Sequence, residues 1–220
     1  MTTKSELFKS LQNTLNRISG SPMKTILKNN AEHSAYEVYV FSLILKAIKN
    51  IASDNKITFE NLDSGKFVAR GGPGRLELNR SSYALFTYRN KEYEVHIDIE
   101  VEGTSGMIHE IDISIVDSER ANNCRQVGSI PTAPSVKVAF ECKYYGNKLN
   151  KSLIRTYVGL LDDMGNILFS GFVSNLDNED IQLYCSKKNR PYFLSSLAPW
   201  EKKEQTIFVG LLEKQFKKLL

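Results

Sequence analysis

Two short stretches, MIHEIDISIV at positions 107–116 and VKVAFECKYY at positions 136–145, decide how this chain is read. Both are apolar enough to be strands, and side chains along a strand alternate between its two faces. In the second, Val136, Val138, Phe140, Cys142 and Tyr144 fall on one face, and Lys137, Ala139, Glu141 and Lys143 on the other. In the first, Ile111, Ile113 and Ile115 share a face, opposite Glu110, Asp112 and Ser114. Acidic side chains thus stand where a plain strand has no need of them. If the two strands are neighbours, Asp112, Glu141 and Lys143 converge on one point. Two carboxylates offer hard oxygen ligands to Mg²⁺. A lysine beside them can orient or deprotonate an attacking water, or stabilise developing phosphate charge.

Moving upstream, residues 76–116 read as a run of antiparallel strands. Tyr93, Val95, Ile97, Ile99 and Val101 alternate without a break against Glu94, His96, Asp98, Glu100 and Glu102. That pattern predicts one covered and one polar face. Asp98, Glu100 and Glu102 are then a solvated row and weaker rivals to Asp112 as ligands; Glu110, on the same face as Asp112, is a closer rival. Residues 65–75 contain Arg70-Gly71-Gly72-Pro73-Gly74-Arg75. The run lacks the Gly-Lys-Ser/Thr ending of a Walker loop. It reads either as a turn or as a phosphate-contacting loop flanked by Arg70 and Arg75. Residues 31–51 read as a helix with Val40, Phe41, Ile44, Ile48 and Ile51 on its buried stripe, and Glu37 lies on that same stripe. A carboxylate there is costly unless paired or metal-bound, although a helix N-terminus tolerates it. His33, one turn earlier on the same face, could join Glu37, but a lone histidine is more often structural and is left out of the core site. Residues 3–18 read as an amphipathic packing helix ended by Gly20, Ser21 and Pro22.

Between the two deciding strands, residues 117–135 read as a long connection holding Arg120, Arg125, Gly128, Pro131 and Pro134, suited to a substrate groove or a dimer contact. Downstream, residues 148–164 read as a helix with Lys148, Lys151 and Arg155 on its basic side. A strand over 167–174, a short helix over 178–189, a strand over 192–197 and a final helix from Pro199 complete the chain. Lys214, Lys217 and Lys218 make that last helix basic at its end.

Asp112 followed by Glu141-Cys142-Lys143 resembles the bipartite Asp…Glu-x-Lys signature of the PD-(D/E)XK nuclease superfamily, whose fold is the α/β restriction-endonuclease-like fold. Ile111 stands where the name-giving motif has proline. The order helix, three strands, helix, strand over residues 31–174 is similar to that fold's core, with extra strands before it and flanking helices. The resemblance implies a metal-dependent nuclease, most naturally a DNA endonuclease rather than an RNase, in restriction, defence, repair or mobile-element work. It implies Mg²⁺, with Mn²⁺ able to substitute, held by Asp112, Glu141 and the backbone carbonyl of Cys142. It implies Lys143 as the residue that positions or activates the water, Glu37 as a support or second-metal ligand, and Arg155 as a phosphate-backbone contact.

Composition bounds these readings. The 220 residues are 41% hydrophobic and 25% charged, which describes an ordinary globular chain. We expect a nuclease-like domain over 31–197, an N-terminal helix and linker over 1–30, and a basic amphipathic helix over 198–220. A net charge of +4 permits a polyanionic partner without demanding one. Cys124, Cys142 and Cys185 form no CxxC pair, so neither a zinc site nor a disulfide framework is indicated, and a reducing cytoplasm is the natural compartment. No apolar run reaches membrane-spanning length. Two other readings compete: a nucleic-acid-binding or assembly subunit, in a homodimer or larger complex, that keeps the nuclease fold without cleavage; and an unrelated α/β protein whose acidic strands are merely solvated.

Overall fold

The computed structural model describes residues 9, 12–13, 16–17, 25–27, 32–52, 56–76 and 81–219. In chain order the strands are β1 (Thr25–Leu27), β2 (Thr58–Glu60), β3 (Phe67–Ala69), β4 (Tyr83–Tyr88), β5 (Lys91–Glu102), β6 (Ile108–Asp117), β7 (Val136–Lys143), β8 (Phe169–Ser174) and β9 (Tyr192–Leu194). The helices are α1 (Glu32–Lys49), α2 (Ser118–Val127), α3 (Lys151–Met164), α4 (Glu179–Lys188) and α5 (Lys202–Leu219). The helix expected over residues 3–18 lies largely outside the described residues, as does the linker after it.

The fold is α/β, built on one mixed seven-stranded sheet in the order β2-β4-β5-β6-β7-β8-β9. Neighbours from β2 to β7 run antiparallel, and β7-β8 and β8-β9 run parallel. The parallel joins need crossovers, which α3 and α4 supply. Strands β1 and β3 form a separate parallel pair.

Helices cover both faces of the sheet. Val95, Ile97, Ile113, Ile115, Val138 and Phe140 pack with α1 and with Phe208, Leu212 and Phe216 of α5. Val116, Ala139 and Phe172 pack with Ala121 of α2, Tyr157 and Leu161 of α3 and Ile181 of α4. Helix α1 is buried from Ser34 to Leu45 rather than along one stripe, because the sheet, α5 and Phe67 of β3 all pack against it. Each fully buried aromatic such as Phe140 contributes about 1.5–3 kcal/mol of transfer free energy. The Tyr157 hydroxyl donates to the Ala139 carbonyl at 2.9 Å and pins α3 against β7. Asn150 caps α3, accepting from Ser152 N–H. Among the described residues, no helix is long and apolar enough to cross a membrane.

Two sequence expectations are corrected here. The connection over 117–135 is not an extended loop. It holds α2, capped by the Asp117 side chain and ended by Gly128 in the left-handed conformation at φ 68°. Its sequence, SERANNCRQV, carries no apolar stripe, since Ala121 is its sole buried apolar residue. Nor is the second face of β5 solvated along its length. Glu94, His96 and Asp98 are buried, and only toward Glu100 and Glu102 does the row open.

The buried row explains how α2 is held. Arg125 of α2 donates from Nη1 to Glu94 Oε2 at 2.9 Å and from Nη2 to Glu94 Oε1. His96 Nε2 lies 2.7 Å from Glu94 Oε2, and the Ser118 hydroxyl donates to Glu94 Oε1 at 3.2 Å. The Tyr83 ring stacks on His96 at 4.8 Å and receives the Arg125 guanidinium at 5.2 Å. Burial alone would raise the Glu94 pKa, but His96 and Arg125 outweigh it and hold the carboxyl below its usual range.

Candidate metal centre

At the level of Asp98 the apolar row of β5 changes core: Ile97 belongs to the α1 side and Ile99 to the α3 side. Asp98 itself is left-handed, at φ 51°. Its carbonyl accepts from Gly74 N–H at 3.1 Å, and Glu100 N–H donates to the Gly74 carbonyl at 3.1 Å. The glycine loop thereby docks on the edge of β5 beyond the end of β4. A cleft of about 380 Å³ opens there, lined by residues of α1, the loop, β5, β6, β7 and α3.

Register explains which side chains meet in it. The pairs Ile97↔Ile113 and Ile99↔Ile111 set Asp98 opposite Asp112 across β5 and β6. The pairs Ile113↔Phe140 and Ser114↔Ala139 set Asp112 opposite Glu141 across β6 and β7. The β6-β7 ladder stops at Ile113, and Asp112 Oδ2 then accepts the next N–H, that of Cys142, at 2.7 Å. Lys143 Nζ lies 2.6 Å from Glu141 Oε1 and 3.5 Å from Asp112 Oδ2. From the facing helix, Glu37 enters the cleft with His33 Nε2 at 2.8 Å from its Oε1. The Cys142 side chain is turned into the core, so only its backbone is available on the cleft side.

Five carboxylates line this cleft, those of Glu37, Asp98, Glu110, Asp112 and Glu141, against one lysine and one histidine. Their crowding shows in their acidities. Burial, then the charges of Glu37, Asp112 and Glu110, pushes Asp98 up to about 9. Burial and Asp112 push Glu141 up to about 7, against the pull of Lys143. Burial also raises Glu37, with Asp112 adding to it and His33 opposing. Burial works against the Lys143 charge, but Asp112 and Glu141 outweigh it and raise the pKa of the amine. Lys143 is therefore held beside both carboxylates as a donor and counter-charge. Two groups of ligand atoms lie within 4.8 Å of one another: His33, Glu37 and Asp112, and Asp98, Glu110 and Asp112. Oxygen-rich sets of this kind suit hard divalent cations.

Asp112, Glu141, Lys143 and Glu37 all line the cleft. The structure adds Asp98, which the alternation assigned to solvent, and His33, which the sequence left open as a companion of Glu37 but kept out of the core site. The arginines are placed differently. Arg70 is buried, donating from Nε to the Ser81 hydroxyl at 2.7 Å and from Nη2 to the Arg75 carbonyl at 2.8 Å. It braces the loop from inside, and a Cβ at Gly74 would sit 1.7 Å from its Nη1, so a larger residue there would displace the guanidinium. Arg75 is partly exposed, its Nε 3.6 Å from Glu100 Oε2. Arg155 is exposed on α3 and does not line the cleft. Comparison of the chain with protein-family models, with curated proteins and with solved structures finds no match.

Proposed function

We propose that the chain is a Mg²⁺- or Mn²⁺-dependent nuclease that hydrolyses phosphodiester bonds, with DNA as its substrate. One observation carries the reading: Asp112 and Glu141 occupy opposed positions on neighbouring strands with the Lys143 ammonium between them, in a cleft short of positive charge. The order α1, antiparallel β5-β6-β7, α3 and parallel β8 agrees with the restriction-endonuclease-like core that the sequence motif resembles.

The residues present fit a hard cation, since the donors are carboxylates whose mutual repulsion the protein's own cations leave largely unrelieved. Asp112, Glu141 and the Cys142 carbonyl would hold it. When bound, such an ion polarises a phosphoryl oxygen and lowers the pKa of the water it carries. The chain supplies the rest. Asp112 is fixed by the Cys142 amide, so its carboxylate keeps one orientation. Lys143, charged and anchored by Glu141, is placed to donate to the attacking water or to a phosphate oxygen as negative charge builds. Glu37, held by His33, orients water or cation from the α1 side.

The test is incubation of the protein with supercoiled plasmid, linear duplex, single-stranded DNA and RNA, with and without Mn²⁺. Metal-dependent strand scission that disappears in Glu141→Gln is expected. Absence of scission on every substrate with either metal, or scission unaffected by Glu141→Gln, would sink the proposal.

A further inference from the structure

One side of helix α5 belongs to the core, where Phe208, Leu212 and Phe216 pack with α1. The other side is a stripe of exposed residues at helical spacing: Lys203, Ile207, Gly210, Lys214 and Lys217. Lys202 and Lys218 flank it, and no carboxylate stands on it. Among the described residues none of these five ammonium groups is in an ion pair, whereas Lys151 and Arg190 pair with Asp180 and Asp162. Nor does the helix itself account for them. Its end is served by other groups, since the Lys217 carbonyl accepts from Arg89 Nη2 at 2.8 Å and from the Tyr88 hydroxyl at 3.3 Å. Lys202 and Lys203 stand in the first turn, where the helix dipole disfavours cations.

The placement of α5 gives the stripe a direction. The Tyr36 hydroxyl donates to the Leu197 carbonyl at 2.9 Å, just before α5, and Asn50 Nδ2 donates to Glu213 Oε1 at 2.6 Å, near its end. Helix α5 therefore runs alongside α1, starting by the end that carries Glu37 into the cleft and finishing at the other. Its 18 residues span about 27 Å, the length of roughly eight base pairs. The cleft, by contrast, sets five carboxylates against one lysine and one histidine. Arg70 is turned inward and Arg75 lies beside Glu100. Such a cleft does not draw phosphates to the protein, so attraction for a polyanion has to come from another surface.

We propose that the outer face of α5, continued by Arg89 and Lys91 in the turn between β4 and β5, is a track for the sugar–phosphate backbone of nucleic acid. It holds a long substrate while the cleft cuts. The proposal deepens the nuclease reading and rests on it for the identity of the polyanion. Lysine contacts to phosphate carry no sequence information, so the track is indifferent to sequence. An anionic lipid surface is the other polyanion that basic amphipathic helices meet, but that mode buries the apolar face in the lipid. Here that face is already packed against α1 and the sheet.

The test is binding of a fluorescently labelled duplex of about 30 base pairs, read by anisotropy over a range of salt concentrations with metal chelated. Two exposed lysine pairs of equal charge are compared: Lys214→Gln with Lys217→Gln on α5, and Lys187→Gln with Lys188→Gln on α4, across the sheet. Melting temperature checks that each variant folds. The α5 pair should lower the slope of log affinity against log salt by about 2 and weaken binding at low salt by about tenfold or more. The α4 pair should change neither. Equal effects of the two pairs, or no duplex binding by wild type, would overturn the track, and plasmid scission persisting beside either result would leave the nuclease reading standing. Duplex binding that the α5 pair weakens, in a protein that cuts nothing, would remove the nuclease reading and keep the track. Vesicles containing phosphatidylserine form the last arm: vesicle binding lost in the α5 pair, with duplex binding unmoved, would assign α5 to a lipid surface and overturn the proposal.

Discussion

Glu94 and Asp98 sit four residues apart on β5, are both almost wholly buried, and yet are treated in opposite ways. Glu94 is enclosed by Arg125, His96 and Ser118, with partners for both of its oxygens. Asp98 faces four other carboxylates and keeps one oxygen without a partner. Burial pushes both pKa values up; at Glu94 the partners reverse the shift, and at Asp98 the neighbours enlarge it. A fold can afford a buried charge that it neutralises itself. One that it leaves short of partners has a positive ligand as its natural complement. On this comparison the α2 end of β5 is architecture, and the cleft end is where the proposed cation would sit.

The largest expected effect lies at the architectural end. Arg125→Met leaves Glu94 buried with its main counter-charge gone, and breaking a buried pair in this way costs about 3–5 kcal/mol. Urea denaturation should show that loss, while Mn²⁺ affinity of the remaining folded protein stays as in wild type. A loss below about 1 kcal/mol, the scale of an exposed pair, would mean that α2 is held by other contacts.

Next comes Lys143. Lys143→Met keeps the aliphatic length and deletes the charge. Cleavage should fall at least ~100-fold at saturating Mg²⁺, the usual scale for a lost acid–base or electrostatic group, with folding and metal binding retained. Near-normal turnover at saturating metal would reduce Lys143 to a salt-bridge partner of Asp112 and Glu141.

Asp98→Asn should be the mirror image of Arg125→Met. In metal-free protein burial and the neighbouring carboxylates oblige Asp98 to take up a proton on folding near neutral pH, and asparagine is neutral without that cost, so thermal stability should hold or rise, by about 1 kcal/mol or more. A drop of several kcal/mol would show that Asp98 is a structural residue like Glu94. The smallest effect belongs to Arg155, exposed and away from the cleft lining. If it meets a phosphate, Arg155→Gln should reduce the salt dependence of DNA binding by about one contact's worth, a slope change of about 1. An unchanged slope would remove α3 from the nucleic-acid interface.

How legible each region was in the sequence follows from the range of the forces involved. The alternation in β6 and β7 put Asp112, and Glu141 with Lys143, on the polar faces of their strands, and their meeting followed only if the strands were neighbours. The alternation itself breaks at Asp112, where Ile111 and Ile113 enter different cores. Glu37 was visible as a carboxylate on an apolar helical stripe. Asp98 was not, because its burial depends on what covers the second face of β5, and alternation looks the same whether that cover is water or helices. Helix α2 was hidden for a related reason. It is held by Arg125 reaching Glu94 and by its Asp117 and Gly128 caps, not by an apolar stripe. Arg70 looked like a phosphate contact beside glycines, yet the loop turns it inward to Ser81 and the Arg75 carbonyl. Contacts between distant parts of the chain decided all three, and single-sequence periodicity does not record them.

The division of β5 into a closed end and an open end is tested most directly by thermal melting with and without Mn²⁺, in wild type, Asp112→Asn and Arg125→Met. A cation that binds only the folded cleft stabilises it by about 2.7 kcal/mol at a hundred times its Kd, or roughly 5–10 °C for a chain of this size. Wild type should show that rise, Arg125→Met should melt lower but rise by the same increment, and Asp112→Asn should not rise. No Mn²⁺-dependent rise in wild type, or an equal rise in Asp112→Asn, would contradict the assignment of the cleft as a cation site.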